Sequence, residues 1–195
     1  RSWGWGDLVS STGAVQHRYS SVYDSTATKR LYTVTGDTSA YFERTETRMA
    51  VQDIVLTSRG AGRLEWLVGL YGSYTAVKSP TEFSVQVPRA PLIPVYADDR
   101  RDRVRELAAY GEASYRLAPD VTLAAGARAF SIHTRTKSDV VSENFPPRAI
   151  ARTVDFQSVS PKLSLQWTFR PGDLVYAVVS EGYRSGGINS GGAMP

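Results

Sequence analysis

The 195-residue chain has no cysteine, which excludes a disulfide framework, a thiolate metal site and a cysteine nucleophile. Histidine is scarce. His17 and His133 stand alone, neither spaced with another His as a metal pair, and each reads as a surface or lumen side chain. Long hydrophobic runs are also missing. One of the longest is Leu174–Val179, whereas a membrane-spanning helix needs about 20 apolar residues. That excludes a helical membrane protein. It does not exclude a membrane barrel, whose strands alternate apolar with polar residues. No block of like charge is present: 23 basic and 19 acidic residues are interspersed, so no nucleic-acid arm is expected. Asp98, Asp99, Asp102 and Glu106 surround the basic stretch from Arg100 to Arg105. Glycine-rich phosphate loops and the Gly-x-Ser-x-Gly elbow are absent, and no nucleophile–base set stands out, so the chain does not read as an enzyme. Asp98, Asp99 and Asp102 lack the glycine and spacing of a calcium loop, and no metal or cofactor is expected.

What is present is an alternation of connection lengths. Short turns fall at Arg59–Arg63, Ala118-Pro119-Asp120 and Arg170-Pro171-Gly172-Asp173. Long connections are expected over Ser20–Ala40, Lys78–Arg103 and Ser138–Arg152. A soluble sandwich has no reason to sort its loops by length. An outer-membrane barrel does, with tight turns on one rim and long loops on the other.

The segments between them have a period of two. In Ser158–Phe169, Val159, Pro161, Leu163, Leu165, Trp167 and Phe169 share one parity, and Ser158, Ser160, Lys162, Ser164, Gln166 and Thr168 share the other. Val121–Phe130 sets Val121, Leu123, Ala125, Ala127 and Ala129 against Thr122, Ala124, Gly126 and Arg128. Glu106–Leu117 sets Leu107, Ala109, Gly111, Ala113, Tyr115 and Leu117 against Glu106, Tyr110, Glu112, Ser114 and Arg116. Leu107, Gly111 and Tyr115 are also spaced by four, so a short amphipathic helix competes there, and the turn at Pro119-Asp120 favours a hairpin. Leu64–Tyr74 and Leu174–Tyr183 follow the same rule, and Leu8–Tyr19 and Arg44–Thr57 follow it less cleanly. The expected fold is all-β: seven antiparallel strands in an up-and-down meander, part of a large transmembrane β-barrel. A seven-stranded sheet with a long apolar edge would aggregate unless it continued. Residues 1–195 therefore read as a partial barrel, with an internal start at Arg1-Ser2-Trp3 and an internal stop at Gly191–Pro195.

The phrase Leu174–Asn189, LVYAVVSEGYRSGGIN, resembles a barrel strand of TonB-dependent outer-membrane receptors. Tyr110–Leu117 with Leu123–Arg128, Phe156–Phe169 with Ser160-Pro161-Lys162, and Leu64–Tyr71 are similar to further strands of that family, in the right order. The resemblance implies a barrel of about 22 strands around a plug. It implies active uptake of a scarce nutrient across the outer membrane of a Gram-negative cell, a ferric siderophore before other cargo, energised through the TonB complex. The implied partners are outer-membrane lipid, a plug domain outside this segment, TonB through N-terminal parts outside it, and the ligand. The TonB box, plug and aromatic-ended last strand are not seen in these residues. A small outer-membrane barrel acting as pore or adhesin, and a soluble carbohydrate-binding β-domain, are the alternatives.

Two residue sets follow. Glu112, Arg128, Lys162, Gln166 and Glu181 are expected to face the lumen, because hydrocarbon offers a charge no partner. Tyr96, Arg100 and Arg101 in one extracellular loop, and Phe145 and Arg148 in another, mix aromatic and basic character suited to an anionic ferric chelate.

Overall fold

The computed structural model describes residues 1–27, 38–60, 62–184 and 188. Seven strands form one sheet: β1 (Gly6–Asp24), β2 (Thr38–Ser58), β3 (Leu64–Gln86), β4 (Leu92–Ala118), β5 (Val121–Ser142), β6 (Phe145–Arg170) and β7 (Asp173–Ser180). The sheet order is the sequence order, and every pairing is antiparallel. No α-helix occurs among the described residues, and Glu106–Leu117 lies wholly within β4.

Each strand reverses the last, so the turns at residues 59–63, 119–120 and 171–172 share one rim. Turn chemistry is local. Pro171 presets the first corner and Gly172 takes φ 92°, the positive value that the second corner of a type II turn requires. At the same rim the Trp167 ring nitrogen donates to Asp120 Oδ2 at 2.9 Å, and its ring lies 5.5 Å from that of Phe169.

The other rim differs from the expectation. The stretches Lys78–Arg103 and Ser138–Arg152 are not long loops. They are continuations of the strands, leaving only residues 87–91 and 143–144 as connections. β4 reaches 27 residues, whereas a tilted membrane strand needs about 9–11. The reason is that each extended arm has a partner: Lys78–Gln86 pairs with Leu92–Arg101, so its backbone groups are satisfied without a rigid loop. A small core of Phe83, Val85 and Val95 staples that hairpin, with Tyr41 and Tyr96 packed against it. The remaining long connection runs between Asp24 and Thr38, and residues 28–37 lie outside the described set, as do Gly186, Gly187 and Asn189.

Register sorts the side chains onto two faces. Tyr71, Ala108, Phe130 and Ser158 follow one another across β3 to β6, as do Leu70, Ala109, Ala129 and Val159 on the opposite side. Each strand neighbours only those adjacent in sequence, so among the described residues no second sheet covers either face. Leu107 is 69% exposed, Leu70 60% and Val159 54%, and Leu163, Leu165 and Trp167 continue the exposed series. So large an uncovered apolar surface is foreign to a soluble monomer.

Candidate functional site: the polar face of the sheet

The face of Glu106 and Arg128 carries a connected polar network at mid-sheet. Arg128 Nη2 donates to Glu106 Oε1 at 2.7 Å, and its guanidinium lies over the Tyr71 and Tyr110 rings at 4.9 and 5.7 Å. The Tyr110 hydroxyl donates to Asp53 Oδ1, two strands away, at 2.9 Å. Gly69 makes that reach possible. It lies directly opposite Tyr110, and a Cβ there would sit 2.3 Å from the Tyr110 ring. The tyrosine therefore lies flat across β3, filling the space a side chain would take.

A second bridge uses the same device. Lys162 on β6 donates to Glu112 Oε2 on β4 at 2.8 Å, spanning β5. The residue between them is Gly126, paired with both, where a Cβ would lie 3.1 Å from that of Glu112. Past the end of β7, Tyr183 stacks on Phe130 at 3.9 Å and its hydroxyl donates to Glu106 Oε1 at 3.2 Å. Phe130 and Ile132 with Ala108 form the buried core of this face, flanked by Tyr71, Val104 and Phe156.

Nearer the hairpin rim the network becomes denser and more buried. Arg100 Nε donates to Asp102 Oδ2 at 2.8 Å, and its Nη2 donates to the carbonyl of Ile188 at 2.9 Å, anchoring the chain after β7. Thr136 donates to Asp102, and Ser138 donates to Asp98 at 2.7 Å. The Asp102 carboxylate beside Arg100 holds that guanidinium above its ordinary pKa. Such pairing fixes a wall. Among the described residues no group of His, Asp and Glu is arranged to hold a metal ion.

The expected residues divide. Register sets Glu112, Arg128, Lys162 and Gln166 on one face, with Gln166 opposite Thr122. Glu181 lies one residue past the end of β7, and its amide donates to the Pro161 carbonyl at 3.0 Å. Both parities of β7 are apolar, and sequence period alone could not assign them. The five ligand candidates lie in strands, not loops: Tyr96, Arg100 and Arg101 in β4, Phe145 and Arg148 in β6. Tyr96 packs on the Phe83–Val85–Val95 core, and Arg148 lies over the Phe145 ring at 4.1 Å. Arg100 and Arg101, as strand neighbours, point to opposite faces. Arg101 pairs with Asp99 at 2.6 Å on the apolar side, away from the other four. Sequence reading missed Asp53, Tyr71, Tyr110 and Glu106 as one cluster, because only the register brings their three strands together.

The family model "TonB dependent receptor-like, beta-barrel" matches residues 1–193. The chain belongs to that family. Among solved structures, the sheet is similar to the ferric yersiniabactin uptake receptor FyuA from Yersinia pestis, with a TM-score of 0.73 and 17% identity. That likeness covers 90% of this chain and 25% of FyuA, so the chain spans about a quarter of the receptor it resembles. No curated protein matches. The meander is thus a barrel segment of TonB-dependent receptor type, and its two faces are the two sides of a barrel wall.

Proposed function

We propose that this segment forms about a third of the wall of an outer-membrane import receptor that takes up a scarce nutrient, a ferric siderophore before other cargo, energised through TonB. One observation carries the reading: the sheet has one polar, internally bonded face and one uncovered apolar face. Hydrocarbon offers no hydrogen-bond partners, so the apolar face is assigned to lipid and the face of Glu112, Arg128, Lys162 and Gln166 to the lumen and plug. The apolar stretches Leu107–Leu117 and Val159–Phe169 are roughly eleven residues long, the length a tilted strand needs to cross. Trp66, Tyr115, Trp167 and Phe169 lie towards the turn rim, where an aromatic girdle meets the membrane interface. The turns are then periplasmic, and the hairpin arms stand outside the cell. Tyr96, Arg100, Phe145 and Arg148 on those arms are the proposed ligand contacts.

A passive pore and a soluble sugar-binding sheet are weaker readings. The former has no use for a wall network of this density, and the latter has no use for an apolar face this large. Uptake by the full-length receptor separates them. Radiolabelled ferric siderophore should accumulate in cells carrying TonB and stop when TonB is deleted. Accumulation independent of TonB would show a pore, and no accumulation with any ferric siderophore would remove the cargo assignment.

A further inference from the structure

Just beyond the apolar band, towards the hairpin rim, the lipid-side face changes character. On β4 the outward residues run Leu117, Tyr115, Ala113, Gly111, Ala109, Leu107 and then Arg105, Arg103, Arg101. Arg105 marks the boundary, its guanidinium 5.7 Å from the Tyr74 ring centroid. In the next two rows Arg103 lies directly opposite Arg135, and Arg101 directly opposite Lys137. Lys78 flanks Arg101 on the other side. Towards β6 the same rows continue with Thr153 and Ala151, which carry no charge.

Like charges facing each other across an antiparallel pair are destabilising, and two such pairs are stacked here. Internal neutralisation is incomplete. Asp99 takes Arg101 at 2.6 Å, Asp139 stands opposite Asp99 in the adjoining row, and Glu46 stands opposite Lys78 while bonded to Arg48 and Gln16; among the described residues no ion pair engages Lys78, Arg103, Arg135 or Lys137. Arg101, Arg103, Arg135 and Lys137 line a recess of about 130 Å³. Strand geometry spaces the two pairs by about 7 Å along the sheet and their members by about 5 Å across it. Each pair can thus clamp one phosphate-sized anion, and the planar arginine fork suits phosphate oxygens. An anion held here would sit one step beyond Tyr74 and Leu107, where acyl chains lying along the apolar band would end.

We propose that Lys78, Arg101, Arg103, Arg135 and Lys137 form a docking site for the headgroup of an outer-leaflet lipid bearing at least two phosphates. The site rests on the lipid-facing assignment made above. Its effect is to convert a destabilising charge cluster into a collar that fixes the depth of the barrel wall.

The test uses the full-length receptor, delipidated in neutral detergent and titrated by native mass spectrometry with diphosphoryl lipid A, monophosphoryl lipid A and inorganic pyrophosphate. The wild type should bind diphosphoryl lipid A best, monophosphoryl lipid A more weakly and pyrophosphate hardly at all. The triple variant Arg103→Gln/Arg135→Gln/Lys137→Gln should lose at least tenfold in affinity for diphosphoryl lipid A, and Lys137→Arg should retain it. Unchanged lipid affinity in the triple variant would overturn the site. Pyrophosphate binding as tight as lipid A would overturn the lipid as occupant. Assembly is read separately by heat-modifiable mobility. Should the triple variant fail to assemble, Arg135→Gln alone must show the loss in the same titration. A wild-type receptor that never assembles as a membrane barrel would defeat the underlying membrane reading, a result distinct from a failed titration.

Discussion

Two residues without side chains set how the polar face is wired. Gly69 lets Tyr110 lie across β3 to Asp53, and Gly126 lets Lys162 reach Glu112 over β5. Gly69→Ala should displace the Tyr110 ring, break its bond to Asp53 and cost roughly 1–3 kcal/mol as an overpacking change. Gly72→Ala, whose Cβ would meet only a Leu107 methyl at 3.4 Å, is the matched control and should be nearly neutral. Urea unfolding midpoints of the receptor in vesicles compare them; equal midpoints would contradict the Tyr110 assignment. Glu46 gives a pH prediction outside the membrane band. Side-chain hydrogen bonds from Arg48, at 2.9 Å, and Gln16, at 3.0 Å, hold its carboxyl below the ordinary value of 4.5. A depressed folded-state pKa contributes stability above the unfolded value and loses it as pH falls through the folded one. The difference between wild type and Glu46→Gln should therefore persist at neutral pH and vanish well below pH 4.5. Melting temperatures of the two proteins across that range check it.

At the scale of the strand, period and register carry the information. The strict alternation in Ser158–Phe169 was sufficient to place Leu165 and Gln166 on opposite faces, and β6 shows them so. Leu165→Arg should block assembly in the outer membrane, because a basic residue on the lipid face costs roughly 2–4 kcal/mol at the midplane. Gln166→Arg should assemble normally. Heat-modifiable mobility of the two variants reads this directly, and equal tolerance would count against the lipid assignment. The hairpin arms were less legible. Prolines at 80, 88, 91, 94, 146 and 147 and many charges interrupt the period of two there. Pairing with a neighbouring arm satisfies the backbone regardless of composition, and composition does not reveal pairing. β7 was less legible for a related reason: where both parities are apolar, no physical preference is written into the sequence. The arms also separate into their own unit, stapled by Phe83, Val85 and Val95. Deleting residues 81–98 should leave the barrel assembled and abolish binding of ferric siderophore, measured by retention of the radiolabelled chelate on whole cells.

For the molecule as a whole, the sheet makes sense only with what lies beyond its edges. β1 and β7 each pair on one side, and the apolar face has no cover among the described residues. The meander and the turn rim were legible because the period of two and the short turns are local features of the sequence. The network of Asp53, Tyr110, Arg128, Glu106 and Tyr183 was not, since its members are distant in sequence and meet only once register is fixed. The cargo of the proposed receptor was equally hidden, for a bilayer constrains lipid-facing residues alike whatever is transported. The faces themselves can be measured by spin labelling, and these 195 residues contribute no native cysteine to it. Spin labels on single cysteines at Leu107, Ala127 and Leu165, and at Glu106, Arg128 and Gln166, should be read in the full-length receptor in bilayers. The first three should be relaxed by oxygen, which concentrates in lipid, and the last three should be shielded from it. Equal oxygen accessibility in the two sets, or water-soluble relaxers reaching Leu107 and Leu165, would contradict the two-sided membrane wall.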